Sequence, residues 1–325
     1  MSVPPRLSLV IPLCDESEVF PELMSRLSAA VAGLGFPAEV ILVDDGSVDA
    51  TPALIEAACR EHAWCRAVLL SRNFGHQAAV TAGMKHARGE AIAILDGDLQ
   101  DPPEIIAEFY AKLREGYDVV YAVRRDRKES LLKRAAYAAF YRLLRALAAV
   151  PIPLDSGDFC VVSGRVARLM NEMPERHRFL RGLRSWVGFK QTGLEYPRAA
   201  RERGSSKLTL ARLLQLALDG IFTFSEQPLK WSMGAGALIA FGAFLWGAYI
   251  VLWRLFAPAG AVIPGWATLT AGMFFLGGVQ LISIGILGEY VGRIHNEVKG
   301  RPMYVVDRRI GFENPPETPR AAAAN

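Results

Sequence analysis

The chain has 325 residues, 51% of them hydrophobic, and a formal net charge of +4. This length and apolar content allow more than one domain and a sizeable hydrophobic core, and the small net charge does not suggest a nucleic-acid-binding protein. The four cysteines show no paired CxxC spacing, so we expect reduced, structural thiols. The N-terminal stretch lacks the basic start and cleavage pattern of a signal peptide, so we expect the first 230 residues to stay in the cytoplasm.

Short apolar runs alternate with helical patterns through the first part of the chain. Residues 7–13 predict a strand followed by a helix over 19–34, and residues 39–43 predict a strand followed by a helix over 52–62. Further strands are predicted at 67–70, 91–95 and 118–124, and further helices at 129–149 and 208–218. This alternation indicates an α/β fold with a mostly parallel sheet covered on both faces.

Polar loops follow the first strands of this predicted sheet, with the sequences CDE, DDGS, SRN and DGDLQD. Ligands of such sheets bind beyond the carboxyl ends of the strands, which is where all of these loops fall. The chain has no GxGxxG and no Walker A pattern, so the usual glycine-rich phosphate loops are absent from the sequence. We therefore expect a binding site at one rim of the sheet that uses other groups.

The loop after the fourth strand carries Asp96, Asp98 and Gln100, with Gly97 leaving room for the backbone. Desolvated carboxylates repel one another unless a cation, a proton or a donor compensates. Hard oxygen ligands of this kind suit Mg²⁺ or Mn²⁺, with substrate phosphates completing the shell. The loop predicts a metal–diphosphate site; the alternative is a solvated acidic loop, and in either case we expect Asp101 to cap the next helix.

A second acidic loop contains Asp44 and Asp45, and Glu16 adds a third acid on the same rim. Asp, Gly and Ser also favour turns and helix caps, so a purely structural loop is the alternative. Two acidic loops on one rim exceed what capping requires, which favours a ligand site. His76 and His86 lie in a helical pattern without ligand spacing, so we expect them to be solvated or core residues.

Two uncharged stretches, 231–253 and 266–288, are each long enough to cross a bilayer core of roughly 30 Å. They predict a helical hairpin in the membrane; the alternative is a pair of buried core helices. Lys and Arg are frequent before the first stretch and after the second, so the positive-inside rule places both termini in the cytoplasm. Glycines in both stretches would allow close packing within the hairpin or between protomers, so a homo-oligomer is open.

Several motifs together resemble the polyprenyl-phosphate glycosyltransferases of glycosyltransferase family 2. This group includes dolichol-phosphate mannose synthase and the bacterial undecaprenyl-phosphate glucosyl and aminoarabinosyl transferases. The motifs are LVIPLCDE, ILVDDGSVDAT, LSRNFGHQAAVTAGMKHARGEAIAILDGDLQDPPEII, SGDF, ERHRFLRGLRSWVGF, RERGSSK and LGEYVGRIHNEVKGRPMYVV. The resemblance implies a Rossmann-like, GT-A type domain that binds a nucleotide sugar, followed by two membrane helices.

The resemblance also divides the chain into regions. It implies a cytoplasmic catalytic domain over 1–206, juxtamembrane helices over 207–230, two membrane helices over 231–290, and a cytoplasmic segment with a disordered tail over 291–325. The implied location is the inner (plasma) membrane, with the catalytic domain and both termini cytoplasmic.

Residue roles follow from matching positions. The nucleotide sugar is implied to bind Pro12, Glu16, Asp44, Asp45 and Asp96. The metal ligands are implied to be Asp96, Asp98 and Gln100. Catalytic roles are implied for Asp98, Asp158, Arg203 and Lys207. Lipid phosphate is implied to bind Arg124, Arg134, Arg203, Ser205 and Lys207, and Arg127 is a further candidate because of its positive charge. Asp15 stands where the family usually has Asn, which leaves the role of position 15 open.

Two of these assignments have alternatives. Asp158, predicted in a loop, could act as a base, orient the acceptor, or be a turn carboxylate bound to local backbone donors. Arg124, Arg127 and Arg134 could instead be juxtamembrane charges attracted to anionic lipid headgroups.

The expected activity is metal-dependent, inverting transfer of a hexose from a nucleotide sugar, with UDP-glucose favoured, to a polyprenyl phosphate such as undecaprenyl phosphate. Other donors are GDP-mannose, UDP-GlcNAc, UDP-GalNAc or an aminoarabinose nucleotide, and other acceptors are a polysaccharide or a diacylglycerol. A non-catalytic membrane scaffold that binds lipid is the alternative from a different class.

Overall fold

The fold is that of a computed structural model, which describes residues 4–125, 156–176, 178–197, 227–256 and 265–312. The described residues form two compact units. Residues 4–125, 156–176, 178–197 and 301–312 belong to the first, and residues 227–256 and 265–300 belong to the second. Two predicted helices, 129–149 and 208–218, lie outside the described residues.

The first unit is an α/β domain. Its strands are β1 (Leu7–Leu13), β2 (Ala38–Asp44), β3 (Cys65–Leu70), β4 (Ala91–Ile94), β5 (Val119–Arg125), β6 (Ser156–Ser163), β7 (Gln191–Pro197) and β8 (Val306–Ile310). Its helices are α1 (Phe20–Gly33), α2 (Thr51–Glu61), α3 (His76–His86), α4 (Ile106–Arg114), α5 (Gly164–Glu172) and α6 (Leu180–Trp186). A short 3₁₀ turn, Pro103–Ile105, precedes α4.

The strands form one sheet in the order β7-β5-β6-β4-β1-β2-β3-β8. Neighbouring strands are parallel within the central run β4-β1-β2-β3. Strand β5 is also parallel to β7. Strand β6 is antiparallel to both β4 and β5, and β8 is antiparallel to β3. The α/β class with a mostly parallel sheet is confirmed, with β6 and β8 as the strands that make it mixed.

Hydrophobic clusters cover the two faces of this sheet because alternate residues of a strand point to opposite faces. Leu9 and Ile11 of β1 pack with Phe109 of α4 in one cluster, whereas Val10 of β1 packs with Val80 of α3 in the other. All of these side chains are fully buried. The strands are therefore held from both sides, and their carboxyl ends present the loops described below.

Strand β8 follows the second apolar helix and pairs with the edge strand β3, with Ala67 opposite Ile310. Tyr304 and Phe312, on either side of β8, pack against the second hydrophobic cluster. The sequence predicts this region only as a cytoplasmic segment, so its return to the sheet is a finding of the structure.

The second unit consists of two long helices, α7 (Gln227–Phe256) and α8 (Trp266–Val298), which contact each other. Both are long and apolar enough to cross a membrane. The most apolar segment of each helix has no buried residues. Core helices of a soluble domain have buried side chains. These two helices do not, so the core-helix alternative does not fit.

Candidate active site

Hydrogen bonds join the loops that follow β1 and β2. The Asp15 N–H donates to the Ser47 hydroxyl at 2.9 Å, and the Asp15 carboxylate accepts from the Val48 N–H at 2.9 Å. The Glu16 N–H donates to the Thr51 hydroxyl at 3.0 Å. Asp15 has a φ of 55°, a left-handed conformation that Asp tolerates better than most residues. These contacts give position 15 a structural role and bring the two acidic loops together.

Asp45 connects the second loop to the loop before α3. Its two carboxylate oxygens accept from the Phe74 N–H at 2.7 Å and the Gly75 N–H at 2.9 Å. Burial raises the pKa of Asp45, although these N–H groups favour the ionised form. Asp44 is also buried, which raises its pKa, and it accepts from the Ser47 N–H at 3.3 Å. Both carboxylates organise the loops, and their binding of a nucleotide stays a prediction.

Two glycines allow the loops to approach closely. A Cβ on Gly46, whose φ is 67°, would lie 2.2 Å from the backbone carbonyl carbon of Arg72. A Cβ on Gly97 would lie 2.3 Å from a side-chain carbon of Leu13 and 3.2 Å from the carbonyl oxygen of Pro12. The expectation that Gly97 gives the backbone room is confirmed. The rim is therefore a continuous surface built from all of these loops.

Asp96, Asp98 and Gln100 lie in the loop after β4, and all are partly buried. The Gln100 N–H donates to Asp98 Oδ1 at 3.2 Å, and Leu99 between them has a φ of 58°. Burial raises the pKa of Asp96 to about 6; His76 opposes this rise, and the neighbouring carboxylates add to it. The loop therefore concentrates negative charge at the rim, as the sequence predicts.

Asp101, the next acid in this loop, is fully buried. The Tyr196 hydroxyl on β7 donates to Asp101 Oδ1. The 3₁₀ turn that follows has no side-chain cap. One oxygen of the Asp101 carboxylate is thus directed to β7, and its capping of the next helix stays a prediction.

Asp158 lies on strand β6 and not in a loop, which corrects the prediction from sequence. Its carboxylate accepts from Arg181 Nε at 2.7 Å and from Arg181 Nη2 at 3.0 Å. Burial alone would raise the pKa of Asp158, but Arg181, with smaller contributions from His76 and Arg184, lowers it to about 2. Asp158 is thus a partly buried carboxylate that stays ionised, and its contacts are with side chains of other elements rather than a local turn.

His76 is the functional candidate that the sequence interpretation missed. It is the first residue of α3, and its Nε2 atom lies 3.6 Å from Asp96 Oδ1 and 3.8 Å from Asp158 Oδ2. Its side chain is 40% exposed, at the rim. The expected solvent exposure of His76 is confirmed, and its position between two carboxylates is what the structure adds. Its position directly after the third polar loop was the signal that could have identified it.

The segment before α6 is fixed on α3, which positions Arg181. The Leu180 N–H donates to the Gln77 side-chain oxygen at 2.9 Å. The buried Arg178 guanidinium donates to the Thr81 hydroxyl at 3.4 Å and to two backbone carbonyl oxygens at the end of α5. Arg181 therefore approaches Asp158 from a backbone that is held by the residues directly before it.

A divalent cation fits the Asp96 loop in its donor set. Asp96 Oδ1 is buried and has no hydrogen-bond partner among the described residues. In that same part of the chain, no three His, Cys, Asp or Glu side chains are grouped to hold a metal ion. A cation here would take ligands from the carboxylates and amide of this loop, and substrate oxygens would complete its shell.

The other predicted site residues have these positions. Pro12 lies in β1 beside the Asp96 loop, and Glu16 lies in the loop after β1. Arg124 lies in β5, where its backbone pairs with Tyr196. Arg127, Arg134, Arg203, Ser205 and Lys207 lie outside the described residues. The described site therefore contains the predicted metal loop and Asp158, and the predicted lipid-phosphate residues stay predictions.

Comparisons with known proteins identify the family of the chain. Residues 8–167 match the domain described as glycosyl transferase family 2. The chain is 42% identical over 312 residues to the uncharacterized glycosyltransferase YkcC of Bacillus subtilis, covering 94% of this chain and 95% of that protein. It belongs to glycosyltransferase family 2.

This family 2 glycosyltransferase also resembles proteins whose names state a substrate. It is 38% identical over 304 residues to the SfII prophage-derived bactoprenol glucosyl transferase of Shigella flexneri, covering 93% of this chain and 98% of that protein. Among solved structures, the mannosyltransferase PcManGT from Pyrobaculum calidifontis in complex with GDP-Man and Mn²⁺ aligns with a TM-score of 0.44 and 16% identity, over 89% of this chain and 88% of that one.

Proposed function

We propose that this glycosyltransferase transfers a hexose from a nucleotide sugar to a polyprenyl phosphate at the membrane surface. The observation that carries the proposal is the rim where Asp96 and Asp158 approach the same histidine. A family 2 domain with this rim offers one place for a donor diphosphate and an acceptor to meet. The similarity to a bactoprenol glucosyl transferase over most of both chains supports the choice of acceptor, because bactoprenol is a polyprenyl lipid.

The donor that we favour is UDP-glucose. The relative named above is a glucosyl transferase, which supports glucose as the sugar. The nucleotide and the sugar both stay part of the proposal, and the other donors named from the sequence are outcomes of the test.

The proposed reaction is a single displacement at the anomeric carbon. An oxygen of the acceptor phosphate forms the new bond to C1 while the bond from C1 to the diphosphate oxygen breaks, which inverts the configuration and releases the nucleoside diphosphate. A phosphate monoester has a second pKa near 6, so most of the acceptor arrives ionised and little proton removal is needed. Asp158, with its pKa lowered to about 2, fits a role in orienting groups better than a role as a proton acceptor.

Mg²⁺ or Mn²⁺ is the cofactor that we propose. Asp96, Asp98 and Gln100 would hold it, with Asp96 Oδ1 as the buried oxygen that accepts no hydrogen bond from the described residues. When bound, such an ion offsets the negative charge that develops on the leaving diphosphate. The chain's own contribution is to keep these oxygens at the carboxyl end of β4, close to the nucleotide loops.

The proposed location is a cell membrane, crossed by α7 and α8. Both helices have the length and composition for this, and their apolar side chains are exposed. The charge distribution supports a catalytic domain and termini on the cytoplasmic side. A lipid-linked acceptor and an anchored enzyme would then share one surface.

The test is transfer of labelled sugar from a panel of nucleotide sugars to undecaprenyl phosphate in detergent. The assay is run with Mg²⁺, with Mn²⁺, with chelator, and with Asp98→Ala; Glu115→Ala, an exposed acid paired with Lys112, is the control. We expect transfer from one donor that needs the metal and is lost in Asp98→Ala only. A folded protein that transfers no sugar and binds no nucleotide would contradict the proposal and favour the lipid-binding scaffold. Transfer to diacylglycerol or polysaccharide instead would change the acceptor.

A further inference from the structure

Two carboxylates that belong to different strands come close at the rim. Asp96 follows β4 and Asp158 lies on β6, and these strands are neighbours in the sheet. Like charges at short range repel, and partial burial strengthens that repulsion. A polar or positive group between them lowers this repulsion, in addition to Arg181, which already binds Asp158.

His76 lies in that place. Its Nε2 atom is within 4 Å of one carboxylate oxygen of each residue, at 3.6 Å from Asp96 and 3.8 Å from Asp158. The oxygen of Asp96 that it faces is the one that accepts no hydrogen bond within the described part of the chain. One side chain of α3 thus lies between the proposed metal loop and strand β6.

We propose that His76 is a positioning residue that fixes the Asp96 and Asp158 carboxylates relative to each other through its Nε2 atom. The inference rests on the proposed function, because it assigns His76 to the same site. The site residues that the sequence predicts do not include any residue of α3, and His76 is the first residue of that helix.

The backbone around His76 is fixed, so the ring is held at this point. The preceding Gly75 has a φ of 97°, its N–H donates to Asp45, and its carbonyl oxygen accepts from Ala78 and Ala79. A residue with a side chain would be strained at that φ. The following Gln77 is held by the Leu180 N–H.

The ring atom involved decides which substitutions preserve the contact. A glutamine side chain can place its amide nitrogen near the position of Nε2, whereas an asparagine amide reaches only as far as Nδ1. His76→Gln therefore keeps a polar donor between the carboxylates, and His76→Asn withdraws it. Groups that orient metal ligands typically change metal affinity or activity about 10- to 100-fold when they are removed.

The experiment measures UDP binding to the full-length protein by calorimetry with and without Mn²⁺, so that the gain in affinity caused by the metal is the readout. We expect His76→Asn to reduce this gain about tenfold and to lower kcat by a similar factor, with His76→Gln within about threefold of the wild type for both. Thermal unfolding checks that each variant is folded.

His86→Gln is the matched control on the same helix. Its ring nitrogen contacts the Ala82 carbonyl at 2.7 Å and its ring packs on Phe312, away from the acidic loops. We expect the gain in UDP affinity caused by Mn²⁺ to be unchanged in this variant. If His76→Asn matches the wild type, or if the Asn and Gln variants lose the gain equally, the role of Nε2 is refuted. A wild-type protein that shows no gain with Mn²⁺ and transfers no sugar would contradict the proposed function itself, and the inference with it.

Discussion

The Arg181 guanidinium binds both oxygens of the Asp158 carboxylate, from Nε at 2.7 Å and from Nη2 at 3.0 Å. A bidentate pair fixes the orientation of both side chains, which a single contact cannot do. The pair joins α6 to β6 next to the acidic loop.

Arg181→Lys keeps the positive charge of this pair but loses its two-point geometry. We expect kcat for sugar transfer to fall about 100-fold with a smaller change in the KM for the donor, because a misplaced group near the reacting atoms costs about this much. Steady-state kinetics with varied donor checks this. Arg165→Lys, which changes an arginine stacked on Phe189 outside the site, is the control and should behave like the wild type. Unchanged kcat in Arg181→Lys would contradict the prediction.

The low pKa of Asp158 predicts that the stability of the fold decreases at acidic pH. Its pKa of about 2 in the folded protein lies below the value of about 3.9 expected when unfolded. The ionised carboxylate therefore stabilises the fold above about pH 4, and this contribution is lost as the pH falls toward about 2. Unfolding of the wild type and of Asp158→Asn, measured from about pH 5 downward, should converge as the pH falls. Parallel curves would show that Asp158 does not titrate in this range.

Gly46 and Gly35 form a matched pair for testing the close approach of the loops. Both have positive φ, 67° and 68°, but a Cβ on Gly46 would lie 2.2 Å from the Arg72 backbone, whereas one on Gly35 meets nothing within 4 Å. We expect Gly35→Ala to cost about 1–2 kcal/mol in free energy of unfolding from the backbone conformation alone. Gly46→Ala should lower the free energy of unfolding by about 1–3 kcal/mol more than Gly35→Ala does, since the loops must move apart. Equal losses in thermal or chemical unfolding would argue against a tight contact between these loops.

The C-terminal strand predicts a difference between two truncations. A chain that ends at Gly300 lacks β8, Tyr304 and Phe312, and it leaves β3 as an open edge. We expect this chain to lose about 2 kcal/mol or more of stability and to aggregate, because apolar contacts are lost and an unpaired strand edge is exposed. A chain that ends at Phe312 keeps all of these contacts and should match the full-length protein. Light scattering and thermal unfolding in detergent measure both, and equal behaviour of the two truncations would contradict the prediction.

Much of the fold could be predicted from sequence because the central strands are apolar and end in polar turns. Leu7–Leu13 is fully apolar apart from Ser8, and the predicted strand matches β1 at both ends. β8 could not be identified in this way because Asp307, Arg308 and Arg309 lie in its middle, and these side chains are exposed on an edge strand. Its position depends on pairing with β3, which is more than 200 residues earlier in the chain.

The acidic side of the site was predictable and its partners were not. Asp96 and Asp98 follow an apolar strand, which is a local pattern. His76 and Arg181 meet these acids only because α3 and α6 pack on the same side of the sheet, and neither has a spacing in sequence that indicates this. The same limit explains Asp101, whose partner Tyr196 lies on a strand 95 residues later.

The return of β8 to the sheet also sets an order of events during synthesis. Residues 306–310 are translated after both long helices, so the ribosome releases the last strand of the catalytic sheet only when α7 and α8 have already been made. Until then β3 remains an unpaired edge, with its backbone groups available to other chains. Completion of the α/β unit therefore waits until both long apolar helices have been made.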